Sequence, residues 1–280
     1  MEDKYIYRKH LRQPGKFFMS MMLMFLVPYF LLALELTIAN KEERFEMGLV
    51  FFIVGIVLVV FIGIEFILIY FIMYKRFKKI YIVLSEDRII YNNSKGEISV
   101  PYEDINNLKF PSIKYIGGWI KIIHGTGNIR LTVVLENIGD MVKNLKSKID
   151  EKNVSCVYNE KAMYNFYKTS KYSDQSWERI YENVKYYFIA ILINALVALV
   201  ISLFVIKVSS KIIITLVAIL GPVLIFVIVE IILGRKLAKG SSKDSFSVPE
   251  RDKHLEGKLY KWAFEIYYVL FIIMAIILIN

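Results

Sequence analysis

Long apolar runs alternate with charged or turn-rich segments along the chain. Residues 17–39, 48–73, 186–206, 212–233 and 259–279 are each long and greasy enough to cross a bilayer as a helix. Between the second and third runs, residues 75–153 change period. Short stretches of alternating polar and apolar residues replace the continuous apolar ones, with turn signals between them. The pattern predicts strands over 80–84, 88–91, 97–100, 107–110, 119–123 and 128–134. Ser85-Glu86-Asp87, Asn92 to Gly96, Tyr102 to Ile105 and Gly125-Thr126-Gly127 read as turns, and Gly117-Gly118 as a turn before the fifth strand. Residues 137–149 then take helical spacing, with Ile138, Met141, Val142, Leu145 and Ile149 on one face. The predicted fold class is therefore an α+β integral membrane protein: about five transmembrane helices with an inserted antiparallel β-domain closed by a C-terminal helix.

The remaining segments follow from the same reading. The first apolar run is too long for a signal-peptide core and ends without a small-x-small pattern, so it reads as a spanning helix, kinked at Pro28. Glu35 falls near its far end, where it can reach the interface. Residues 154–185 form a linker. Ser173 to Ser176 is an N-cap candidate, followed by an apolar face of Trp177, Ile180, Tyr181 and Val184, with Arg179 and Glu182 opposite. That helix either lies along the membrane interface or docks on the β-domain. Residues 207–211 make a tight turn between the third and fourth runs, and 240–257 read as a mobile polar loop. Gly55 to Glu65 and Gly221 to Glu230 resemble each other in pattern, as a parallel repeat of hairpins or by shared apolar composition alone.

Composition and charge orient this plan. The 280 residues are 56% hydrophobic and 22% charged, against roughly 45–50% apolar in ordinary soluble domains. The net charge is +10, and much of the excess lies beside the apolar runs. Lipid head groups and the positive-inside rule account for it better than nucleic acid does. Lys75, Arg76, Lys78 and Lys79 follow the second run, and Arg235, Lys236 and Lys239 follow the fourth. These seven are the candidate contacts to anionic head groups. They place the N-terminus and the β-domain in the cytoplasm and the C-terminus outside. Abundant Lys, Ile, Asn and Tyr suit an AT-rich bacterial genome. Cys156 is the one cysteine, so no intrachain disulfide forms.

The segments Tyr81-Ile-Val-Leu-Ser-Glu-Asp-Arg-Ile-Ile90 and Ile98-Ser-Val-Pro-Tyr-Glu-Asp-Ile105, followed by a late strand and helix, resemble bacterial pleckstrin-homology-like domains. These occur in small membrane proteins beside paired spanning helices. The resemblance covers about a quarter of the chain. It implies two near-orthogonal antiparallel sheets with a closing helix, and a role in binding a lipid surface or a protein. The loop joining the first two strands of this domain lacks the dense Lys/Arg set that grips inositol phosphates.

Candidate chemistry is sparse. A carboxylate within a spanning helix is expensive and functional by default. Glu65 near mid-depth, Glu230 nearer its basic end and the amide of Asn194 are the intramembrane polar candidates. They read either as a proton- or ion-binding cluster or as interhelical hydrogen bonds. His10, His124 and His254 have no metal-ligand spacing, and no phosphate loop or nucleophile elbow occurs. The expectation is no catalytic residue, no metal and no cofactor. Three functions compete: a non-enzymatic membrane protein whose β-domain binds, scaffolds or regulates, with a protein partner or a second copy; a transporter or channel subunit using Glu65; and, least supported, a lipid-modifying enzyme.

Overall fold

The computed structural model describes residues 3–39, 44–113 and 117–279. Of the short, slightly acidic loop expected over 40–47, residues 40–43 lie outside the described residues, as does residue 280, and Arg44 to Met47 are already helical. The chain divides into two compact units. A sheet unit takes Met1–Pro14, Ile69–Arg179 and Gly234–Arg251, and a helical unit takes Gly15–Leu68, Ile180–Leu233 and Asp252–Asn280.

In the sheet unit, β1 (Asp3–Ile6) leads into a short helix α1 (Lys9–Arg12). β1 is a strand that the pattern of polar and apolar residues did not predict. It pairs antiparallel with β2 (Tyr81–Leu84), Asp3 opposite Leu84 and Ile6 opposite Tyr81. α2 (Pro14–Ala39) and α3 (Arg44–Ile69) of the helical unit lie between those two strands in the sequence. The chain then passes through a π-helical turn, Tyr70–Tyr74, and one turn of helix, α4 (Lys75–Phe77), before β2. β3 (Arg88–Asn93) and β4 (Gly96–Pro101) complete a four-stranded antiparallel sheet of order β1-β2-β3-β4. The tight β3–β4 turn requires Gly96, whose φ is +134°.

Tyr102–Asp104 makes a 3-10 turn whose buried Tyr102 hydroxyl donates to the Ser85 carbonyl at 3.0 Å. This turn carries the chain to the second sheet: β5 (Ile105–Lys109), β6 (Ser112–Ile113), β7 (Gly117–His124) and β8 (Gly127–Thr132). β7 pairs with β5, β6 and β8. Gly117 and Gly118 belong to strand β7, where they oppose Ile113 and Ser112. They were expected to turn the chain; instead their pairing with β6 keeps them in the strand. α5 (Ile138–Glu151) follows and buries Ile138, Met141, Val142, Leu145 and Ile149, the predicted apolar face. That face joins Ile82, Ile89, Ile120, Ile122, Ile129 and Leu131 in one core. At about 1.5–3 kcal/mol for each large side chain removed from water, this burial drives the unit's folding. A two-residue strand β9 (Val157–Tyr158) adds in parallel to β5.

The segment expected as a linker is the start of α6 (Glu160–Ser202), one helix of 43 residues. It contains no glycine or proline, so nothing interrupts its hydrogen-bond ladder. Its first half belongs to the sheet unit, where Met163 and Phe166 enter the core. Docking, rather than lying along the interface, therefore describes this stretch through Arg179. Ser173–Ser176 lies inside the helix instead of capping it, since the helix begins at Glu160, and the Asp174 carboxylate pairs with Arg8. Arg179, expected on an exposed polar face, is 2% exposed.

α7 (Val208–Gly240) and α8 (Lys253–Ile279) complete the chain. The polar loop between them was expected to be mobile. It is pinned to the sheet unit instead. Phe246 stacks on Tyr167 at 4.8 Å, Gln175 donates to the Pro249 carbonyl at 2.8 Å, and Arg251 pairs with Glu178 at 3.1 Å. Five helices are long and apolar enough to cross a membrane: Pro14–Ile38, Arg44–Phe77, Glu160–Ser202, Val208–Gly240 and Lys253–Ile279. The backbone stays helical through Pro28. In the helical unit Leu49, Phe52, Val57, Phe61 and Ile64 of α3, and Val269, Ile272 and Ile276 of α8, stand exposed. Such an apolar exterior suits a multi-pass membrane protein and not a soluble one.

Candidate functional site

The helical unit buries a small set of polar side chains, and α7 organises it. Pro222 sits inside α7. A proline has no N–H, so the carbonyl four residues earlier, that of Ala218, loses its helical donor. Asn194 of α6 supplies one: its Nδ2 lies 3.4 Å from the Ala218 oxygen and 3.2 Å from the Tyr267 hydroxyl. Tyr267 of α8 in turn donates to the Val217 carbonyl at 3.3 Å. The tyrosine ring reaches α7 because residue 221 is glycine. A Cβ there would stand 2.1 Å from Tyr267 Cε2. Gly55 of α3 receives a ring in the same way, with its notional Cβ 2.9 Å from Phe30 of α2.

One helical turn before Ala218 is Thr215, which donates its hydroxyl to Glu35 Oε2 at 2.8 Å. Glu35 is 4% exposed, and its Oε1 meets no hydrogen-bond partner among the described residues. Glu35 was expected to reach an interface from its helix end; its side chain is instead turned inward beside α7. The rule that marks a carboxylate in a spanning helix as functional applied to Glu35 as well as Glu65. Counting distance from the helix end hid it.

The three predicted candidates separate. Asn194 is buried in the set just described. Glu230 is buried and accepts from the Tyr260 hydroxyl at 3.3 Å, so two tyrosines of α8 serve the two residues. Glu65 stands exposed on α3. The seven basic candidates, Lys75, Arg76, Lys78, Lys79, Arg235, Lys236 and Lys239, are all exposed in the sheet unit. α1 and α4 are neighbours there, and Tyr7 packs on Phe77 with ring centroids 4.7 Å apart. The first basic cluster therefore sits where β1 and β2 begin and end the α2–α3 excursion.

The sheet unit has a buried charged joint of its own. Arg8 donates to Asp174 Oδ1 at 2.6 Å and to the Val133 carbonyl at 3.2 Å. The same Asp174 oxygen accepts the backbone N–H of Asn137 at 3.1 Å, at the start of α5. Asn137 itself takes a left-handed conformation, φ 55°. His10 stacks on Trp177, centroids 4.0 Å apart. The joint ties the N-terminal segment, α5 and α6 together. Burial, outweighing the Arg8 charge, pushes the Asp174 carboxyl up to about 6. Burial, with Arg8 adding to it, pushes the His10 imidazole down to about 4. None of Arg8, Asp174 and Arg179 had a sequence signal, since each sits in a polar stretch that reads as surface.

No family model, no curated protein and no solved structure matches this chain.

Proposed function

We propose that the protein is a non-enzymatic multi-pass membrane protein whose sheet unit is a pleckstrin-homology-like binding module at the cytoplasmic face, regulating or scaffolding a protein partner. The observation that carries this reading is the register of β1 against β2. Together with β3 and β4 it makes a four-stranded antiparallel sheet, followed by a second sheet and a closing helix. That is the order the family resemblance implies. It also makes the α2–α3 hairpin an insertion between two neighbouring strands. A partner that shifts the sheet would pull on the roots of the spanning hairpin, and α6 would carry the same displacement along an unbroken helix.

The basic residues beside β1 and β2 favour the cytoplasmic side and anionic head groups. β4 is the outer strand of its sheet and leaves Glu97, Ile98 and Ser99 exposed. An open strand edge is a site where an extended segment of another protein can add. The test is photo-crosslinking in living cells with the full chain carrying a benzophenone amino acid in place of Ile98. The reading expects one recurrent protein adduct, lost when the photo-residue is moved to exposed Val157 on the other sheet. Only lipid adducts, or none, at Ile98 would remove the protein-binding reading.

A further inference from the structure

We infer that Glu35 is the anionic ligand of a binding site for a monovalent metal cation, sodium or potassium, inside the helical unit. The inference stands apart from the sheet unit's partner and does not depend on it. A carboxylate buried among apolar side chains needs a compensating charge, because one hydrogen bond does not replace its hydration. Glu35 has Thr215 on Oε2 at 2.8 Å and, among the described residues, nothing on Oε1. The apolar runs 17–39, 48–73 and 186–206 contain no lysine or arginine. The nearest basic residue along α7 is Lys211, one turn before Thr215. Among the described residues no ion pair forms between it and Glu35, so it does not satisfy the open oxygen.

Thr215 supplies a ligand of the right type beside Glu35, and the same helical unit buries Ser202, Ser210 and Asn194. Their oxygens are hard donors, which suit alkali and alkaline-earth cations over transition metals. Among these groups the carboxylate contributes the one formal negative charge, which balances a monovalent ion and leaves a divalent ion undercompensated. The site would use Glu35 Oε1 first, with the Thr215 hydroxyl oxygen free to turn a lone pair toward the ion while its proton stays on Oε2.

The experiment uses the full chain in lipid nanodiscs. Thermal unfolding is followed in sodium, potassium and choline chloride at equal ionic strength. The expected result is a saturable rise in midpoint with sodium or potassium over choline. Glu35→Gln removes the rise, and Thr215→Val weakens the apparent affinity about tenfold. Direct binding of radioactive sodium or rubidium to the wild-type protein provides a second readout should Glu35→Gln fail to fold. No difference between choline and either alkali cation, with no bound radioactive ion, overturns the inference and assigns the open oxygen to a proton. A rise that persists unchanged in Glu35→Gln also overturns it, since the ion then binds elsewhere.

Discussion

Asn194 donates its side-chain amide to the carbonyl of Ala218, the group that Pro222 strips of its helical donor. The two residues form one device: the proline opens a gap in α7 and the asparagine of α6 fills it. Replacing Asn194 by Ala leaves a buried carbonyl unsatisfied. The cost expected is about 1 kcal/mol, in line with hydrogen bonds between helices in lipid. Pro222→Ala returns the N–H donor, so the asparagine loses its task. In that background Asn194→Ala is expected to cost less than in the wild type. A double-mutant cycle by chemical unfolding in mixed micelles checks this, and equal costs in both backgrounds would separate the two residues.

The close approach of Tyr267 to α7 makes Gly221 irreplaceable. A methyl group there meets ring carbon Cε2 of Tyr267 at 2.1 Å, so either the packed ring or the two helices must shift. Gly221→Ala is expected to destabilise the protein by at least about 2 kcal/mol, the cost of overpacking. Gly63, with nothing within 4 Å of its notional Cβ, is the control. Gly63→Ala in the middle of α3 is expected to be neutral or stabilising by about 0.5–1 kcal/mol, the helix preference for alanine. Truncating the ring with Tyr267→Ala should recover part of the Gly221→Ala loss. Thermal unfolding of the four proteins measures all of this.

The buried joint of the sheet unit sets two opposing pH responses. Between about pH 4 and 6 the unfolded His10 carries a proton that the folded one has given up. Stability from this group is present at high pH and lost as pH falls, with a slope of about 1.4 kcal/mol per pH unit. Asp174 behaves in the opposite sense. Its folded form keeps a proton that the unfolded form has released, so its contribution is present at low pH and lost as pH rises toward 6. The two slopes nearly cancel in the wild type. Asp174→Asn is expected to leave stability rising with pH across this window, and His10→Gln to leave it falling. Unfolding midpoints at pH 4.5, 5.25 and 6 read the signs directly.

Strand β1 makes a separate prediction about the N-terminus. Tyr5 is buried between β2 and α5, where Asn144 donates to its hydroxyl at 2.9 Å. Deleting residues 1–6 removes this strand and opens the edge of β2. Amide exchange at Val83 and Leu84 is expected to rise by at least about tenfold, while exchange in β7 and β8 changes less. Unchanged protection of β2 would show that β1 adds nothing to the sheet.

Local pattern made most of the sheet unit legible. Arg88 to Tyr91, Glu97 to Val100 and the face Ile138 to Ile149 fold as the alternation and the helical spacing said: Ile89, Tyr91 and Val100 enter the core with the α5 face, while Ile98 stays exposed. β1 escaped because its partner lies beyond two long helices, and four residues with a single alternation carry little signal alone. The docking of α6 escaped for a related reason. Asp174 and Arg179 read as solvent-facing until Arg8, and the sheet core that receives Met163 and Phe166, come from far along the chain. In the helical unit, carboxylates were visible as costly residues, but periodicity in an all-apolar helix does not say which face turns inward. Glu35, expected to reach an interface, is therefore buried, and Glu65, a candidate for ion binding or for interhelical hydrogen bonding, is exposed.

The account rests on a sheet unit that faces the cytoplasm, and Cys156, the one cysteine, reads that directly. It lies beside β9 in the sheet unit, half-buried, with burial raising its thiol above the usual range. Labelling with a membrane-impermeant maleimide is therefore best run near pH 8. The account predicts labelling in inverted membrane vesicles and none in intact cells. Labelling of intact cells, with inverted vesicles protected, would contradict it.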